Sequence, residues 1–310
     1  MLPSLRQLRY LIAVAEMRHF RKAAEMLGIS QPSLSLQISN LEALLSVRLV
    51  ERGRGPVTLT PEGREVLTRA RRAVDEVRGI VDMSAHIRGG MAGTIRLGTT
   101  PTIGPYLLPF VVERLHAQYP DLRLYIRESA APDLRSGLIE GQHDVILTQL
   151  PEPGADLASK RLFREPFVLA VASDHPLAQK PSVAENALSG ETMLSLGPDH
   201  AMHAQIAALC QEHGAVLARD YEGTSLDAIR QMVGMGMGVA CLPRLYARSE
   251  IDGRSSNVTV IPFQRNIMMR AIGLVWRVSS RADMFEQLSQ TIMRAARQDL
   301  RDGPSPILVD

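Results

Sequence analysis

The sequence is poor in cysteine, in aromatic residues and in long apolar runs. Its two cysteines, Cys210 and Cys241, form neither a C-x-x-C pair nor a set large enough for a disulfide framework. A reduced compartment therefore fits and a structural zinc site does not. No window approaches 18 uninterrupted apolar residues, and the opening MLPSLRQLRY carries arginines where a signal peptide has its apolar core. The expectation is a cytoplasmic protein without a membrane partner. No G-x-S-x-G and no P-loop is present. The run 234-GMGMG-238 imitates a dinucleotide fingerprint, but it precedes a strand pattern where the real motif follows one and opens a helix. Asp199, His200 and His203 have no further ligand at clear metal-binding spacing. No metal, no cofactor and no catalytic residue are expected.

What is present begins with an uneven charge. The chain of 310 residues carries a net charge of +2, yet residues 1–90 hold 14 Lys and Arg against 9 Asp and Glu, which leaves the remainder slightly acidic. A basic head on a near-neutral body suits a polyanion-binding module, although many solvated surfaces share that balance. At this length two or three folded units are expected, each with its own core.

Within residues 1–60, Leu5, Leu8, Leu11, Ile12 and Ala15 recur at helical spacing and predict a helix over 4–18. Residues 21–27 read as a short second helix that Gly28 stops, with Ile29 placed to plug the core. The stretch 28-GISQPSLSLQISNLEALL-45 then opens a third helix, with Ser30 as N-cap and Pro32 in the first turn. Leu34, Ile38, Leu41 and Leu45 make one buried stripe. The rest of that helix carries Gln31, Ser33, Ser35, Gln37 and Asn40. A solvated face favours Lys and Glu, whereas Ser and Asn sacrifice helix propensity. Their hydroxyls and amides suit base edges and phosphates in a major groove, and two helices leading into such a third is a helix-turn-helix plan. The bland alternative is a three-helix cap. The segment 49-LVERGRGPVTLTPEG-63 has two short β-type runs about a glycine-flanked tip, a wing from which Arg52 and Arg54 can reach DNA or stay solvated. The DNA-binding candidates are Ser30, Gln31, Pro32, Ser33, Ser35, Gln37, Arg52 and Arg54, with double-stranded DNA as the partner.

In residues 61–90, Val66, Ala70, Ala73, Val77, Ile80, Ser84 and Ile87 form a heptad seam. Off-seam positions such as Arg64, Arg69, Arg71, Arg72, Glu76 and Arg78 are mostly charged. A linker helix that dimerises through Val66, Ala70, Ala73, Val77, Ile80 and Ile87 is expected, pairing two heads for two half-sites. Packing on its own chain is the alternative.

Residues 91–300 alternate strand and helix patterns, from 94-TIRLGTT through 122-LRLYIRES and 143-HDVILTQL to 166-PFVLAVAS, 193-MLSLG, 219-RDYEGTS, 237-MGVACLP and 270-RAIGLVWR. That order predicts an α/β fold with a mostly parallel, doubly wound sheet. Lobe I is expected over about 91–162 and 266–300, lobe II over about 163–265, and a tail over 301–310. Two crossovers make a hinged cleft. Ligands in such sheets sit beyond the carboxyl ends of strands, near helix N-termini. That selects Thr99, Thr100, Thr102, Ser129, Thr148, Thr224 and Ser225, hydroxyls suited to a small anionic effector or, equally, to capping helices.

The pieces 23-AAEMLGISQPSLSLQISNLEALLSVRLVER-52 and 58-TLTPEG-63 resemble the winged helix-turn-helix of the LysR-type transcriptional regulators. The pieces 101-PTIGPYLLP-109, 163-FREPFVLAVASDHP-176 and 224-TSLDAIRQMVGMGMGVACLP-243 resemble that family's effector domain, closest to its peroxide-sensing, OxyR-like branch. The resemblance covers about residues 4–300. It implies a two-lobed effector domain like the periplasmic binding proteins, a tetramer built as a dimer of dimers, and RNA polymerase as a further partner. In that branch the peroxide site is a cysteine after Gly-His, with a second cysteine nine residues on. His200 is kept and joins the effector candidates, and Cys210 matches the second cysteine, but Ala201 stands at the reacting position. Ala131 and Ala204 replace a threonine and an aspartate, so the losses read as divergence rather than as one engineered replacement. Alanine has no thiolate, so that reaction cannot run there. Cys210 with Cys241 remains a different redox pair, against the reading of both as inert core.

The sequence therefore leads to a sequence-specific DNA-binding transcriptional regulator, not an enzyme, controlled by a small effector between two lobes. Two alternatives stand beside it: a thiol-based regulator using Cys210 and Cys241, and a solute-binding or enzymatic body with a vestigial head.

Overall fold

The computed structural model describes residues 2–51, 56–86, 91, 93–151, 154, 156–223, 225–252, 257–265, 268–278, 282–299 and 307–309. The chain divides into two units, residues 1–93 with the short segment 136–143, and residues 94–135 with 144–310.

The first unit opens with α1 (Leu5–Met17), α2 (Phe20–Leu27) and α3 (Gln31–Leu45). Ser4 starts α1 with a reciprocal cap: its side chain accepts from the Gln7 N–H, and the Gln7 side chain accepts from the Ser4 N–H at 3.0 Å. Gly28 stops α2 in the left-handed region at φ 66°. Ser30 Oγ accepts from the Ser33 N–H at 3.3 Å and so begins α3. The predicted stripe is the one that packs: Leu34, Ile38 and Leu41 are fully buried with Leu11, Val14 and Ala23, and Leu45 flanks them.

Strands β1 (Val50–Glu51) and β2 (Thr58–Leu59) pair antiparallel as the wing. Glu42 ties α3 to it, accepting from the N–H groups of Leu49 at 2.8 Å and Val50 at 3.2 Å. The long α4 (Pro61–His86) starts against the same strand. A Cβ at Gly63 would lie 2.1 Å from the Leu49 carbonyl oxygen, so only glycine permits this approach. Along α4, Leu67, Ala70 and Val74 are buried and Val66 packs on the head core, with α1 as the neighbouring helix. Farther along, Val77 and Ile80 are 39% and 65% exposed. Among the described side chains the heptad row is thus divided, Val66 and Ala70 covered within the unit and Val77 and Ile80 exposed. Ile87 lies outside the described residues.

After α4 come β3 (Gly93–Thr99), α5 (Gly104–Gln118), β4 (Leu122–Glu128), α6 (Ala131–Ile139), which is divided between the units after residue 135, β5 (Val145–Leu150) and β6 (Leu157–Ala172). These are followed by β7 (Thr192–Leu196), α7 (Ala201–His213), β8 (Val216–Gly223), α8 (Leu226–Gly234), β9 (Val239–Pro243) and α9 (Arg244–Glu250). The described chain ends with β10 (Val258–Pro262), β11 (Met269–Arg277), α10 (Ala282–Asp299) and β12 (Leu308–Val309). The strand order is β4-β3-β5-β11-β6-β9-β7-β8, with β10 and β12 also on β6. Parallel pairs are β3 with β5 and β7 with both β8 and β9, whereas β10 and β12 lie antiparallel on β6. At the junction β11 is antiparallel to β5 and β6, and β6 to β9. The reason is that β6 is a single strand of 16 residues passing from one lobe to the other, so the expected boundary near 163 falls inside it. Between β6 and β7, residues Glu185–Leu188 form a 3-10 turn. The stretch expected to trail as a tail instead supplies β12, with Leu308 opposite Arg164. Lobe II closes over a core that includes Leu169, Leu188, Ile206, Val233, Cys241 and Tyr246.

Candidate functional site

On α3, Gln31, Pro32, Ser33 and Asn40 are exposed and Ser35 and Gln37 half-buried. Ser30 uses its hydroxyl oxygen to cap the helix. Leu36, which the pattern of polar residues passed over, is 60% exposed in their midst. Arg52 and Arg54 lie outside the described residues.

In the second unit a cavity of about 260 Å³ is lined by Thr100, Pro101, Thr102, Ile103, Ala130, Ala131, Thr148, Gln149, Leu150, Pro151, Asp199, His200, Ala201, Met202 and Arg270. Lobe I supplies the threonines from the end of β3, the start of α5 and β5; lobe II supplies the first turn of α7. His200 is the N-cap of α7 and makes no side-chain capping bond. The opening turn at Ala201 and Met202 therefore brings the positive end of a helix to the cavity wall. The hydroxyls of Thr99 and Thr100 are buried without a hydrogen-bond partner. Gln149 donates to Gln205 at 3.2 Å, joining β5 to α7 across the lobes.

Arg270 is the buried cation of this wall. Its Nε donates to Glu165 Oε2 at 2.7 Å, and its two terminal nitrogens donate to Thr102 Oγ1 at 2.9 Å and to the Thr102 carbonyl at 2.8 Å. Glu165 in turn accepts from the Leu245 N–H at 2.6 Å, at the start of α9. A buried carboxylate and guanidinium, each with further hydrogen bonds, form a satisfied network.

Of the expected effector residues, Thr100, Thr102, Thr148 and His200 meet at the cavity. Thr99 is fully buried and does not line it. Ser129 is away from the lining, its N–H donating to the Thr99 carbonyl at 3.1 Å. Ser225 is a helix cap, accepting from the Ala228 N–H at 3.2 Å, which is the capping alternative. Thr224 lies outside the described residues. Arg270, second in β11, Gln149, penultimate in β5, and Asp199, just before α7, were not foreseen as lining residues, because no local pattern marks them.

Cys210 on α7 and Cys241 on β9 are both buried in the lobe II core. Burial raises the Cys210 thiol, and burial with a further contribution from Cys210 pushes Cys241 up to about 12. Among the described residues no His, Cys, Asp and Glu group is arranged to hold a metal ion, and no helix is long and apolar enough to cross a membrane.

The family profile described as "Bacterial regulatory helix-turn-helix protein, lysR family" matches residues 5–64, and that of the LysR substrate binding domain matches residues 88–297. The chain is 36% identical over 297 residues, 96% of each protein, to the DNA-binding transcriptional dual regulator OxyR of Escherichia coli K12. It is 34% identical over 310 residues, covering 99% of this chain and 98% of that one, to a probable hydrogen peroxide-inducible genes activator of Streptomyces viridosporus. A full-length OxyR variant from Pseudomonas aeruginosa superposes with a TM-score of 0.78 at 32% identity, covering 94% of this chain and 98% of that one. A hydrogen peroxide-bound OxyR mutant of Corynebacterium glutamicum superposes at 0.66, also at 32% identity, covering 96% and 94%. With head and body each matched and relatives aligned along nearly the whole length, the protein belongs to the LysR family of bacterial transcriptional regulators, in its OxyR-like branch.

Proposed function

We propose that this DNA-binding regulator is controlled by a small anionic effector, such as a carboxylate, held in the cavity of its second unit. The observation that carries the reading is the composition of that cavity: Thr100 with its unpartnered hydroxyl, Thr148, Arg270 and the first turn of α7, with Ala201 at the helix start. The Thr100 hydroxyl and the first-turn N–H groups of α7 are hydrogen-bond donors, Arg270 adds a buried positive charge, and no thiol is among them. Glu165 partly offsets Arg270 and Asp199 lines the wall, so a monoanion fits better than a polyanion. Occupancy shifts an equilibrium between arrangements of the lobes through Thr102, Arg270, Glu165 and Leu245.

In this reading Gln31, Pro32, Ser33, Ser35 and Gln37 meet the major groove, Ser30 sets the start of their helix, and Arg52 and Arg54 hold backbone or minor groove. The linker row Val66, Ala70, Ala73, Val77, Ile80 and Ile87 pairs two chains, with the exposed Val77 and Ile80 at the seam, pairs assemble as a dimer of dimers, and the assembly meets RNA polymerase at the promoter.

The test is the footprint on the DNA upstream of the protein's own gene, in reducing buffer, with and without hydrogen peroxide and with a panel of small carboxylates. The expected result is a footprint indifferent to peroxide and altered by a carboxylate in the native chain but not in Thr100→Val. A peroxide-dependent footprint that Cys210→Ser abolishes would favour the thiol pair instead.

A further inference from the structure

We infer that Leu36 is a specificity-determining residue that reads the C5-methyl group of a thymine in the major groove. It stands two residues after Leu34 and two before Ile38, both of them fully buried, while Leu36 itself is 60% exposed. At 3.6 residues per turn, two residues are about 200° of rotation, so Leu36 points away from the stripe that holds α3 in the head. It is at the middle of the presented face, with Pro32 and Ser33 one turn before it and Asn40 one turn after, all exposed.

A lone exposed leucine is ordinary on a protein surface. The position gives this one its meaning, because its neighbours are the short polar groups that suit base edges. A helix that docks by this face brings Leu36 to the groove floor, where the thymine methyl is the apolar group offered by the bases. Pro32 at i−4 extends the apolar spot along the helix, so the methyl leaves water on two sides. A serine or glutamine in the same place would hold its own water there and gain nothing from the methyl.

The inference rests on α3 being the helix that enters the groove. The probe is an operator selected from a randomised duplex library with the full chain, then resynthesised with each thymine replaced in turn by deoxyuridine, which removes the methyl alone. In each half-site one deoxyuridine should weaken the native chain about fourfold, the effect of returning one methyl-sized group to water. The same replacement should leave Leu36→Ala unchanged. Indifference of the native chain to every replacement overturns the proposal, as does an equal loss in Leu36→Ala at each sensitive thymine. The native-chain scan decides the matter even if the variant binds poorly. Separate selections with Ser33→Ala and Leu36→Ala distinguish the two levels of failure. A changed base preference there, with methyl indifference in the native chain, removes only the role of Leu36, whereas no change in either variant removes α3 as the reading helix.

Discussion

Arg270 and Glu165 are direct cross-strand partners on β11 and β6, joined at 2.7 Å with side chains 2% and 0% exposed. The pair sits where the chain crosses between lobes, and its remaining bonds reach Thr102 on one side and Leu245 on the other. Such a pair adds little net stability over an apolar replacement, but breaking it leaves a buried charge uncompensated. Its consequence is geometric: neither lobe can move at this point without disturbing the other.

Glu165→Gln tests this directly. The amide still accepts from Leu245 but no longer neutralises Arg270, so the second unit should lose about 3–5 kcal/mol of stability. Trp276, the chain's one tryptophan, reports on it, being 3% exposed with its ring 5.7 Å from that of Phe285. Urea unfolding followed by its fluorescence should show the loss; a change under about 1 kcal/mol would mean that water reaches the pair.

The two thiols predict a pH dependence. Cys241 is pushed from 9.0 up to about 12, so the folded chain holds its proton where the unfolded chain has released it. This contribution is fully present below pH 9, where both states are protonated, and is lost between pH 9 and about 12. A Cys241→Ala variant should lose less stability over that interval than the native chain. At pH 8, iodoacetamide should label Cys210 and Cys241 only after unfolding. Rapid labelling of the folded chain would restore the thiol pair as a candidate switch.

How far the sequence revealed this structure depends on the range of each signal. The stripe Leu34, Ile38, Leu41 and the cap Ser30 were legible because both are local, fixed by helical period and by one side-chain bond. The threonines Thr100, Thr102 and Thr148 were legible because strand ends in an alternating fold converge. Arg270 was not, since a basic residue inside a strand run looks solvated until Glu165, 105 positions away, is placed beside it. The heptad row was legible only in part. Leu67 and Val74 lie next to it on α4 and take the buried side, which period alone does not separate from Val66 and Ala73. The strand β12 has two residues and no pattern to detect.

Ala201→Cys tests the electrostatics of the cavity. The variant places a thiol in the first turn of α7, on a wall shared with Arg270. Both features favour thiolate, so its pKa should fall below the ordinary value of about 8.5. At pH 7 the variant should react with one equivalent of iodoacetamide while the native folded chain takes none. Labelling no faster than that of an unfolded peptide would show that the cavity does not favour negative charge, and the anionic effector would fall with it.

The exposed pair Val77 and Ile80 on α4 predicts how the chain pairs. Ile80 is 65% exposed and Val77 39%, one turn apart on the row whose earlier members Val66 and Ala70 are covered within the unit. Exposed β-branched residues at heptad spacing are stabilised by a second helix rather than by water. Ile80→Lys changes no buried contact of the first unit, so helix content and unfolding of the head should be unaffected. It should, however, place two ammonium groups at one seam and weaken pairing, which sedimentation would record as a shift toward monomer. Because two heads bound as a unit gain affinity from their linkage, the same variant should bind a two-half-site operator at least tenfold more weakly while binding a single half-site as before. Equal losses on both DNAs would place Ile80 in the head's own stability, and no loss on either would move the pairing surface off this helix.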